Sequence, residues 1–341
     1  MPATDLRSHL NASLSAIAAR SPPQQRCIIL SGGVDTCAIL AAAQETGITF
    51  AGAITVLTGE CSPDKDFAAA AAAGAQLKHH VVQVTTTDLV DTYLPACVKQ
   101  LATFDGMTLR NSLVVAAAMR KASELGFKHA VVGDAADELF GGYSFMWGSA
   151  EDPVEWKRKR DKMCTEWTFA TAQLAAMYGL ESHSPYMEPE FVEWAIENTE
   201  RSHCIGSRPI HLVLGGDAIE HETGKLVLRE AYETISSWRR KDPIEVGSGI
   251  TVIGHDAFWA ELISDGELST ATAEALARGF VIKNKEHLVN FRAFENTFGA
   301  GGESHPMKKR MAIGEGCIGC CFEIGEAMFC GVCGAYPAQR S

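Results

Sequence analysis

Residues 26–143 alternate between short apolar runs and segments with helical periodicity. The apolar runs are Cys27–Leu30, Phe50–Leu57, His80–Val84 and His129–Val132. Short continuous apolar runs are typical of strands that are buried on both faces. Their alternation with helices predicts an α/β fold, in which a parallel sheet carries helices on both faces. Ligands bind such sheets beyond the carboxyl ends of the strands.

The pattern along the chain predicts three parts. An N-terminal helix is expected over residues 1–25, and a large domain over residues 26–300. Within that domain the sheet is expected over residues 26–143 and a mainly helical part over residues 144–300. A glycine-rich linker then leads into a small cysteine-rich tail, and linker and tail together span residues 301–341.

The charge balance limits the classes of partner. Lys and Arg number 30 against 42 Asp and Glu, a formal net charge of −12, and this negative field disfavours general binding to a phosphate backbone. The most apolar stretch, residues 67–75, is far shorter than the ~20 residues that span a bilayer. No signal peptide is visible at the N-terminus. We therefore expect a cytoplasmic protein without a membrane segment, and a homodimer is left open.

The first strand leads into a glycine-containing loop, Ser31-Gly32-Gly33-Val34-Asp35-Thr36. Glycines let the backbone approach an anion closely, and the free amides at a helix N-terminus carry partial positive charge. The hydroxyls of Ser31 and Thr36 can donate hydrogen bonds to phosphate, and Asp35 can hold a magnesium ion. Two glycines alone would fit an ordinary strand-to-helix turn, but the whole string predicts a nucleotide-phosphate site.

An acidic loop follows the fourth strand and contains Asp134, Asp137 and Glu138. Because the carboxyl ends of parallel strands meet at one edge, we expect these carboxylates to lie beside the phosphate loop. Carboxylates that face phosphates need a cation between them, so Asp35 and Asp137 are the predicted Mg²⁺ ligands. The alternative is a solvated acidic helix N-terminus.

The tail concentrates five of the eleven cysteines, namely Cys317, Cys320, Cys321, Cys330 and Cys333. They form two Cys-x2-Cys pairs, and Gly334 suits the tight turn of a metal-binding knuckle. Four thiolates suit structural Zn²⁺, with an iron–sulfur cluster as the softer-ligand alternative. The spacing leaves the ligand set open among Cys317, Cys320 and Cys321.

Several ordered motifs, together with the two loops, resemble the pyrophosphate-loop ATPases. The closer resemblance is to the synthetase domain of asparagine synthetase and its β-lactam synthetase relatives, over roughly residues 26–249. The further motifs are Ser62-Pro63-Asp64, Thr108-Leu109-Arg110, Gly179-Leu180-Glu181, Lys225 and Trp238-Arg239-Arg240-Lys241. The resemblance implies an adenine nucleotide hydrolase-like fold and an ATP-dependent ligase. Such an enzyme adenylates a carboxylate, releases pyrophosphate and transfers the acyl group to ammonia or an amine.

The resemblance also implies roles for single residues. Asp134 would take a proton from the attacking amine, and Lys241 would stabilise the departing pyrophosphate. Glu181 would orient the amine, although a buried structural carboxylate is an equal alternative. The residues implied to contact ATP are Leu30, Ser31, Gly32, Gly33, Asp35, Thr36, Thr55, Val56, Leu57, Arg110, Gly133 and Lys225.

From spacing alone, the cations near residues 225–241 suggest a different reading. The run that contains Lys241 would be a solvated face. Lys225 and Arg229, four residues apart on a helix, would be surface residues. The resemblance reverses the interpretation of Lys241, whereas Lys225 and Arg229 are weaker candidates for the site because of their spacing.

The sequence departs from the asparagine synthetase pattern where the acyl substrate should bind. His183 and Glu188 stand where that family has an arginine and an aspartate, so the acyl substrate need not be free aspartate. No cysteine nucleophile and no glutaminase domain precede the synthetase part. The amine is therefore expected from solution, from a separate glutaminase or amine-donor protein, or from the substrate itself.

Two other functions fit parts of the sequence. In a sulfur transferase, ATP would activate a tRNA base or a cofactor and the C-terminal cysteines would supply sulfur. The residues from Cys330 onward resemble the zinc-binding end of 7-cyano-7-deazaguanine synthase, with Tyr336 in place of its third cysteine. A regulatory module that binds the nucleotide without turnover is the remaining alternative.

Overall fold

In the computed structural model, which describes residues 2–59, 62–147 and 152–339, five strands form one sheet. The strands are β1 (Arg26–Ile29), β2 (Gly52–Thr58), β3 (His79–Val84), β4 (His129–Val131) and β5 (Glu181–His183). Their order across the sheet is β3-β2-β1-β4-β5. Strand β1 pairs in parallel with β2 and β4, and β4 pairs in parallel with β5. This sheet, with its surrounding helices, confirms the predicted α/β architecture.

Continuous apolar sequence made the central strands predictable. Cys27 and Ile28 of β1 are fully buried and pair with Gly52 and Ala53 of β2. A strand covered on both faces needs no polar residue in alternation. Strand β5 was not predicted, because its sequence Glu-Ser-His is polar and the strand lies at the edge of the sheet.

Helices make up most of the remaining chain. In chain order they are α1 (Pro2–Arg20), α2 (Val34–Thr46), α3 (Asp64–Gly74), α4 (Thr86–Leu101), α5 (Gly106–Glu124), α6 (Ala136–Phe140), α7 (Pro153–Glu166), α8 (Thr171–Ala176), α9 (Pro189–Asn198), α10 (Arg201–Cys204), α11 (Leu226–Ala231), α12 (Ile244–Ser248), α13 (Asp265–Ala277) and α14 (Lys285–Phe298). Across the described residues, none of the helices combines the length and the apolar character that crossing a membrane requires.

The chain divides into two compact units. The first unit consists of Met1–Gln83 and Ala118–Ser248, and the second of Val84–Ala117 and Gly249–Ser341. Each unit is thus assembled from two separate stretches of sequence. The tail expected from residue 301 falls within the second unit.

The N-terminal helix α1 belongs to the core of the first unit. Leu6, Leu10, Leu14 and Ile17 are fully buried. Their spacing of three and four residues places them on one helix face. That face packs on α2, α9 and α11. The predicted N-terminal helix is therefore an integral part of the first unit.

Part of the stretch predicted to be helical is a β-hairpin. Strands β6 (Gly206–His211) and β7 (Ala218–Thr223) pair antiparallel, with Ile210 opposite Ile219. Pro209 and the glycines around the turn disfavour a helix here. Helix α11 in the same part ends at Ala231, and residues 232–238 are not helical. Residues 148–151, in the same predicted helical part, lie outside the described residues.

Aromatic side chains form the core of the second unit. The ring of Phe104 contacts Phe280, Phe291 and Phe294 at centroid distances of 5.0–6.1 Å. The backbone amide of Phe104 donates to the carbonyl of Val332 at 2.8 Å. Because Val332 lies between two tail cysteines, the tail is joined directly to this core.

Candidate active site

The predicted phosphate loop lies at the carboxyl end of β1 and runs into α2. Gly33 is the N-cap of α2, so the loop amides lead directly into a helix N-terminus. Gly32 has a φ of +70°, and a Cβ there would lie 2.4 Å from the backbone nitrogen of Ala68. Only glycine fits this combination of backbone angle and close approach. The loop thus has the position and the backbone that the sequence predicted.

Side chains from later in the sequence fix the loop carbonyls. Ser236 Oγ donates to the Gly32 carbonyl at 2.6 Å, and Arg239 Nη1 donates to the Ser31 carbonyl at 3.2 Å. The hydroxyl of Tyr186 donates to the Asp35 carbonyl at 2.8 Å. The loop is therefore held in place by the segment that precedes Lys241.

Two lysines and two aspartates of the predicted site form one charged cluster. Lys225 Nζ donates to both carboxylate oxygens of Asp35, at 2.6 and 2.7 Å, and lies 2.8 Å from Asp137 Oδ1. Lys241 Nζ lies 3.2 Å from Asp137 Oδ2. The structure thus brings together four residues that are far apart in the sequence.

Lys225 and Arg229 are buried, which corrects the expectation from their helical spacing. Lys225 is fully buried and has a φ of +62° at the N-cap of α11. Arg229 donates to the carbonyl oxygens of Gly224, Ser237 and Arg239 at 2.7–2.9 Å. Helix α11 faces the interior of the unit, and each cation there finds carboxylate or carbonyl oxygens. Burial is tolerable for such groups because they are paired.

The cluster shifts the pKa values of its members. Burial works to raise the pKa of Asp137, but the ammonium groups of Lys225 and Lys241 outweigh it and lower that pKa to about 2. Burial works to lower the pKa of Lys241, and the carboxylates of Asp137 and Asp35 raise it instead. At neutral pH, Asp137 is therefore ionised and Lys241 carries its positive charge.

The carboxylate pair fits a magnesium ion. Oδ1 of Asp137 is buried and lies 2.8 Å from the ammonium nitrogen of Lys225, with no other donor among the described residues. Carboxylate oxygens are the ligands that a hard cation prefers, so Asp35 and Asp137 could hold Mg²⁺ beside this ammonium group. A Cβ at position 142 would lie 1.9 Å from this oxygen, so the glycine there keeps the space around Asp137 open.

Asp134 has the acid–base character that its predicted role requires. Burial, reinforced by the nearby carboxylates of Glu138, Asp137 and Asp35, raises the pKa of Asp134 to about 6, against an opposing hydrogen bond from Thr171. A carboxylate with a pKa near neutrality can both accept and return a proton at working pH.

The other residues implied to contact ATP occupy the ends of β1, β2 and β4. Thr55 Oγ1 donates to the Leu30 carbonyl at 2.5 Å and lies 2.8 Å from His79 Nε2. Val56 and Leu57 are buried beside it. A Cβ at Gly133 would lie 2.9 Å from the Cβ of Asp35. Their contacts with nucleotide stay predictions.

Two predicted residues have other partners. Glu181 is at the first position of β5, where it pairs with His129, and its side chain is 73% exposed. It is therefore not a buried structural carboxylate. Arg110 lies in the second unit, with its Nε 3.3 Å from Glu286 Oε1. The roles of Glu181 and Arg110 at the nucleotide site stay predictions.

The sequence interpretation gave no role to Arg239 and Asp64. Arg239 Nη2 donates to Asp64 Oδ1 at 2.7 Å, and the guanidinium stacks over the ring of Phe67 at 4.5 Å. Burial raises the pKa of Asp64 to about 6 against the attraction of Arg239. Both residues lie in quoted motifs, but a cation in a basic run carries no sequence signal that it is buried.

Four of the five tail cysteines converge. The Sγ atoms of Cys317, Cys320, Cys330 and Cys333 lie within 4.8 Å of one another, and all four side chains are buried. Sγ of Cys321 instead donates to the Gly279 carbonyl at 3.4 Å, outside this group. The open choice of ligands is therefore narrowed to the two Cys-x2-Cys pairs.

The backbone around the four thiols forms two tight turns. The amide of Gly319 donates to Cys317 Sγ at 3.3 Å, an interaction that favours the thiolate form. Gly334 has the positive φ expected for its turn, and its amide donates to the Cys330 carbonyl at 2.8 Å. This group could hold one metal ion with four sulfur ligands.

Comparison with known proteins shows similarity to asparagine synthetases. Residues 22–173 match the family model described as asparagine synthase. A protein of Dictyostelium discoideum described as "Probable asparagine synthetase (glutamine-hydrolyzing)" is 27% identical over 205 residues, 56% of this chain and 35% of that protein. Asparagine synthetase B of Escherichia coli (strain K12), also described as glutamine-hydrolyzing, is 24% identical over 218 residues, 62% of this chain and 37% of that protein.

These curated relatives are longer proteins, of which the chain spans little more than a third. Among solved structures, an NMN synthetase from Francisella tularensis covers 52% of this chain and 93% of its own. Its sequence identity is 13% and its TM-score is 0.31.

Proposed function

We propose that the chain is an ATP-dependent ligase that forms amides. A carboxylate oxygen of the substrate attacks the α-phosphorus of ATP, and the bond from that phosphorus to the pyrophosphate oxygen breaks. Ammonia or an amine then attacks the carbonyl carbon of the acyl-adenylate, and AMP leaves. The match of residues 22–173 to the asparagine synthase family model supports the class of ligase, and the acyl-adenylate route is the finer part of the proposal.

The charged cluster is the observation that carries this proposal. Lys225 holds Asp35 and Asp137 within 2.8 Å of one ammonium group, directly beside the glycine loop. Lys241, on the other side of Asp137, keeps a positive charge at neutral pH. Fixed charges stabilise a developing anion without a reorganisation cost. We assign Lys241 to the pyrophosphate that leaves and Lys225 to positioning the two carboxylates.

Asp35 and Asp137 would hold Mg²⁺. When bound there, the ion supplies positive charge to the ATP phosphates. The chain contributes the loop amides, the hydroxyls of Ser31 and Thr36, and the two ammonium groups. Asp134 accepts the proton that the attacking amine loses, because only a neutral amine is nucleophilic.

The residues expected to bind the acyl substrate favour a substrate other than free aspartate. Glu188 forms an ion pair with Arg20, so its carboxylate already has a cationic partner. His183, where asparagine synthetases have an arginine, lies against His129. We propose a small-molecule carboxylate that does not require that arginine. Ammonia would come from solution or from a separate glutaminase or amine-donor protein, and a cytoplasmic location is part of the proposal.

We assign the four-cysteine group to structural Zn²⁺. The thiols are at most 1% exposed. The carbonyl of Val332, in the turn between Cys330 and Cys333, accepts a hydrogen bond from the backbone amide of Phe104. A sulfur transferase needs a thiol that meets its substrate, and none of these four is accessible. Burial therefore favours a structural metal over sulfur transfer and over a reactive iron–sulfur cluster.

AMP formation with Mg²⁺-ATP, ammonia and a panel of carboxylates tests the proposal. The full chain should form AMP and pyrophosphate only with both a suitable carboxylate and ATP present. Lys241→Ala should lower the rate by about 100-fold or more, because it removes a charge aimed at the leaving group. Lys162→Ala is the matched control, since Lys162 is exposed and pairs with the exposed Glu166.

Two results would contradict the proposal. ADP as the product would show cleavage at the wrong phosphorus. An unchanged rate in Lys241→Ala would remove the role of the charged cluster. A sulfur transferase would instead lose its activity when a single cysteine is replaced, although the metal content of that variant stays unchanged.

A further inference from the structure

A second group of metal-ligating side chains lies in the first unit, on β4 and β5. His129 is the first residue of β4, and Glu181 and His183 are the two ends of β5. The strands pair in parallel, with His129 opposite Glu181 and Val131 opposite His183. This pairing brings two imidazoles and a carboxylate to one place. The group shares no residue with the charged cluster or with the cysteine group.

The distances within this group suit one ion. His129 Nδ1 lies 3.1 Å from His183 Nε2, and Glu181 Oε2 lies 3.6 and 3.8 Å from these two nitrogens. In a tetrahedral zinc site with bonds of about 2.1 Å, neighbouring ligand atoms are about 3.4 Å apart. The three observed distances bracket this value, so small side-chain rotations would complete the site.

A hydrogen bond between the rings does not account for Glu181. One imidazole nitrogen can donate to the other at 3.1 Å, but the carboxylate oxygen is beyond hydrogen-bond distance of both. It is nevertheless almost equally far from each nitrogen. A carboxylate oxygen that lies close to two imidazole nitrogens without a hydrogen bond to either is in a position that a shared cation would explain.

Burial and charge around the group are compatible with binding. The side chains of His129 and His183 are 12% and 9% exposed, which fixes the rings, while Glu181 is 73% exposed. An ion can therefore enter from the Glu181 side. The ion pair of Arg20 with Glu188 is the other charge that acts on His183, and its two members oppose each other there.

We propose that His129, His183 and Glu181 bind a divalent transition-metal ion, with Zn²⁺ as the best fit. Two imidazoles favour zinc over magnesium or calcium, and a single carboxylate completes a common ligand set. The fourth position is open to water or to another small ligand. The ligand geometry does not rest on the ligase activity proposed above, although the resemblance also places His183 and Glu181 on the substrate side of that site.

Metal titration of the full chain tests the proposal. The reduced protein is stripped with a chelator and then titrated with Co²⁺, and its zinc content is measured after reloading. Cobalt on thiolates gives strong near-ultraviolet charge-transfer bands, whereas cobalt on imidazole and carboxylate gives only weaker visible bands. We expect both signatures, and about one equivalent of Zn²⁺ in addition to that held by the cysteines.

Three variants assign the second signature. His183→Gln should lose it together with about one equivalent of Zn²⁺, and should keep the thiolate bands. Glu181→Gln should lower the Co²⁺ affinity that the second signature reports by roughly tenfold or more, and its side chain is 73% exposed and outside the core. His221→Gln, outside the group, is the matched control and should keep both signatures.

A wild-type protein without the second signature would overturn the proposal. So would an unchanged second signature in Glu181→Gln, which remains informative even if His183→Gln fails to fold.

Discussion

Lys225 illustrates what single residues contribute to this site and why the sequence hides it. The side chain is fully buried, and its charge is shared between Asp35 and Asp137. From sequence, Lys225 and Arg229 have the spacing of surface cations, and only the packing of α11 shows that they face inward. The aspartates were easier to predict, because each follows a buried strand directly and the strand ends meet at one edge.

Asp134 gives a prediction about pH at the residue scale. Its pKa of about 6 in the folded protein exceeds the ordinary value of 3.8, so the folded state binds more protons than the unfolded state between these values. The free energy of unfolding should therefore fall as pH rises from about 4 to about 6. A shift of this size corresponds to roughly 3 kcal/mol at neutral pH.

Asp134→Asn should remove the free-energy cost of a buried ionised carboxylate. The free energy of unfolding should therefore rise by about 1–3 kcal/mol at pH 7. The same change should lower amide formation by about 100-fold, because the base is lost. Urea denaturation at pH 5 and pH 7, with rates measured on the same samples, checks both effects. Asp66→Asn, at an exposed position of α3, is the control. A variant that is active and no more stable would contradict the assignment.

At the scale of elements, the sequence predicted those strands and loops whose conformation depends on neighbouring residues in the chain. Strand β1 is apolar from Cys27 to Ile29, and the loop after it contains Gly32, which the positive φ requires. The hairpin of β6 and β7 and the edge strand β5 escaped prediction, because their polar residues carry no clear alternation. Their strand conformation depends on pairing partners that are distant in sequence or on the turn between them.

The turn after α6 gives a prediction at this scale. A Cβ at position 142 would lie 1.9 Å from Asp137 Oδ1 and 2.5 Å from the Cε of Lys225. Gly142→Ala should therefore displace both charged groups. We expect the activity to fall by about 100-fold or more, with a loss of stability of about 1–3 kcal/mol from overpacking. Thermal unfolding and AMP formation measure the two effects.

Gly74→Ala is the matched control for this change. Gly74 is the last residue of α3, and a Cβ there would meet no atom within 4 Å. The control should be neutral or slightly more stable, because alanine favours a helix over glycine. Equal behaviour of the two variants would show that the space at position 142 does not limit the site.

At the scale of the whole molecule, the cysteine tail is part of a folded unit. The sequence predicted a metal-binding group from the spacing of the cysteines, but the ligand set was open. The structure selects Cys317 and Cys320 because the Sγ of Cys321 points to Gly279. Spacing identifies which cysteines can form turns, but only the turn geometry decides which thiols converge.

Zinc removal gives the corresponding prediction. The amide of Phe104 donates to Val332, which lies between Cys330 and Cys333. Cys333→Ser should lose about one equivalent of Zn²⁺ and increase hydrogen exchange at the Phe104 amide by about 10-fold or more. Cys321→Ser is the matched control and should retain both metal and protection. Equal exchange in the two variants would contradict a structural role for the metal.

The division of each unit into two separate stretches has a consequence for how the protein is made. Helix α4 and the start of α5 leave the ribosome long before Gly249–Ser341, with which they form one unit. The apolar surface around Phe104 must therefore stay without these partners until residues 280–294 have been made. Synthesis of the second unit is complete only when the last cysteines have emerged. A chain that stops before them would leave an early-made segment with exposed apolar surface, a substrate for chaperones or proteases.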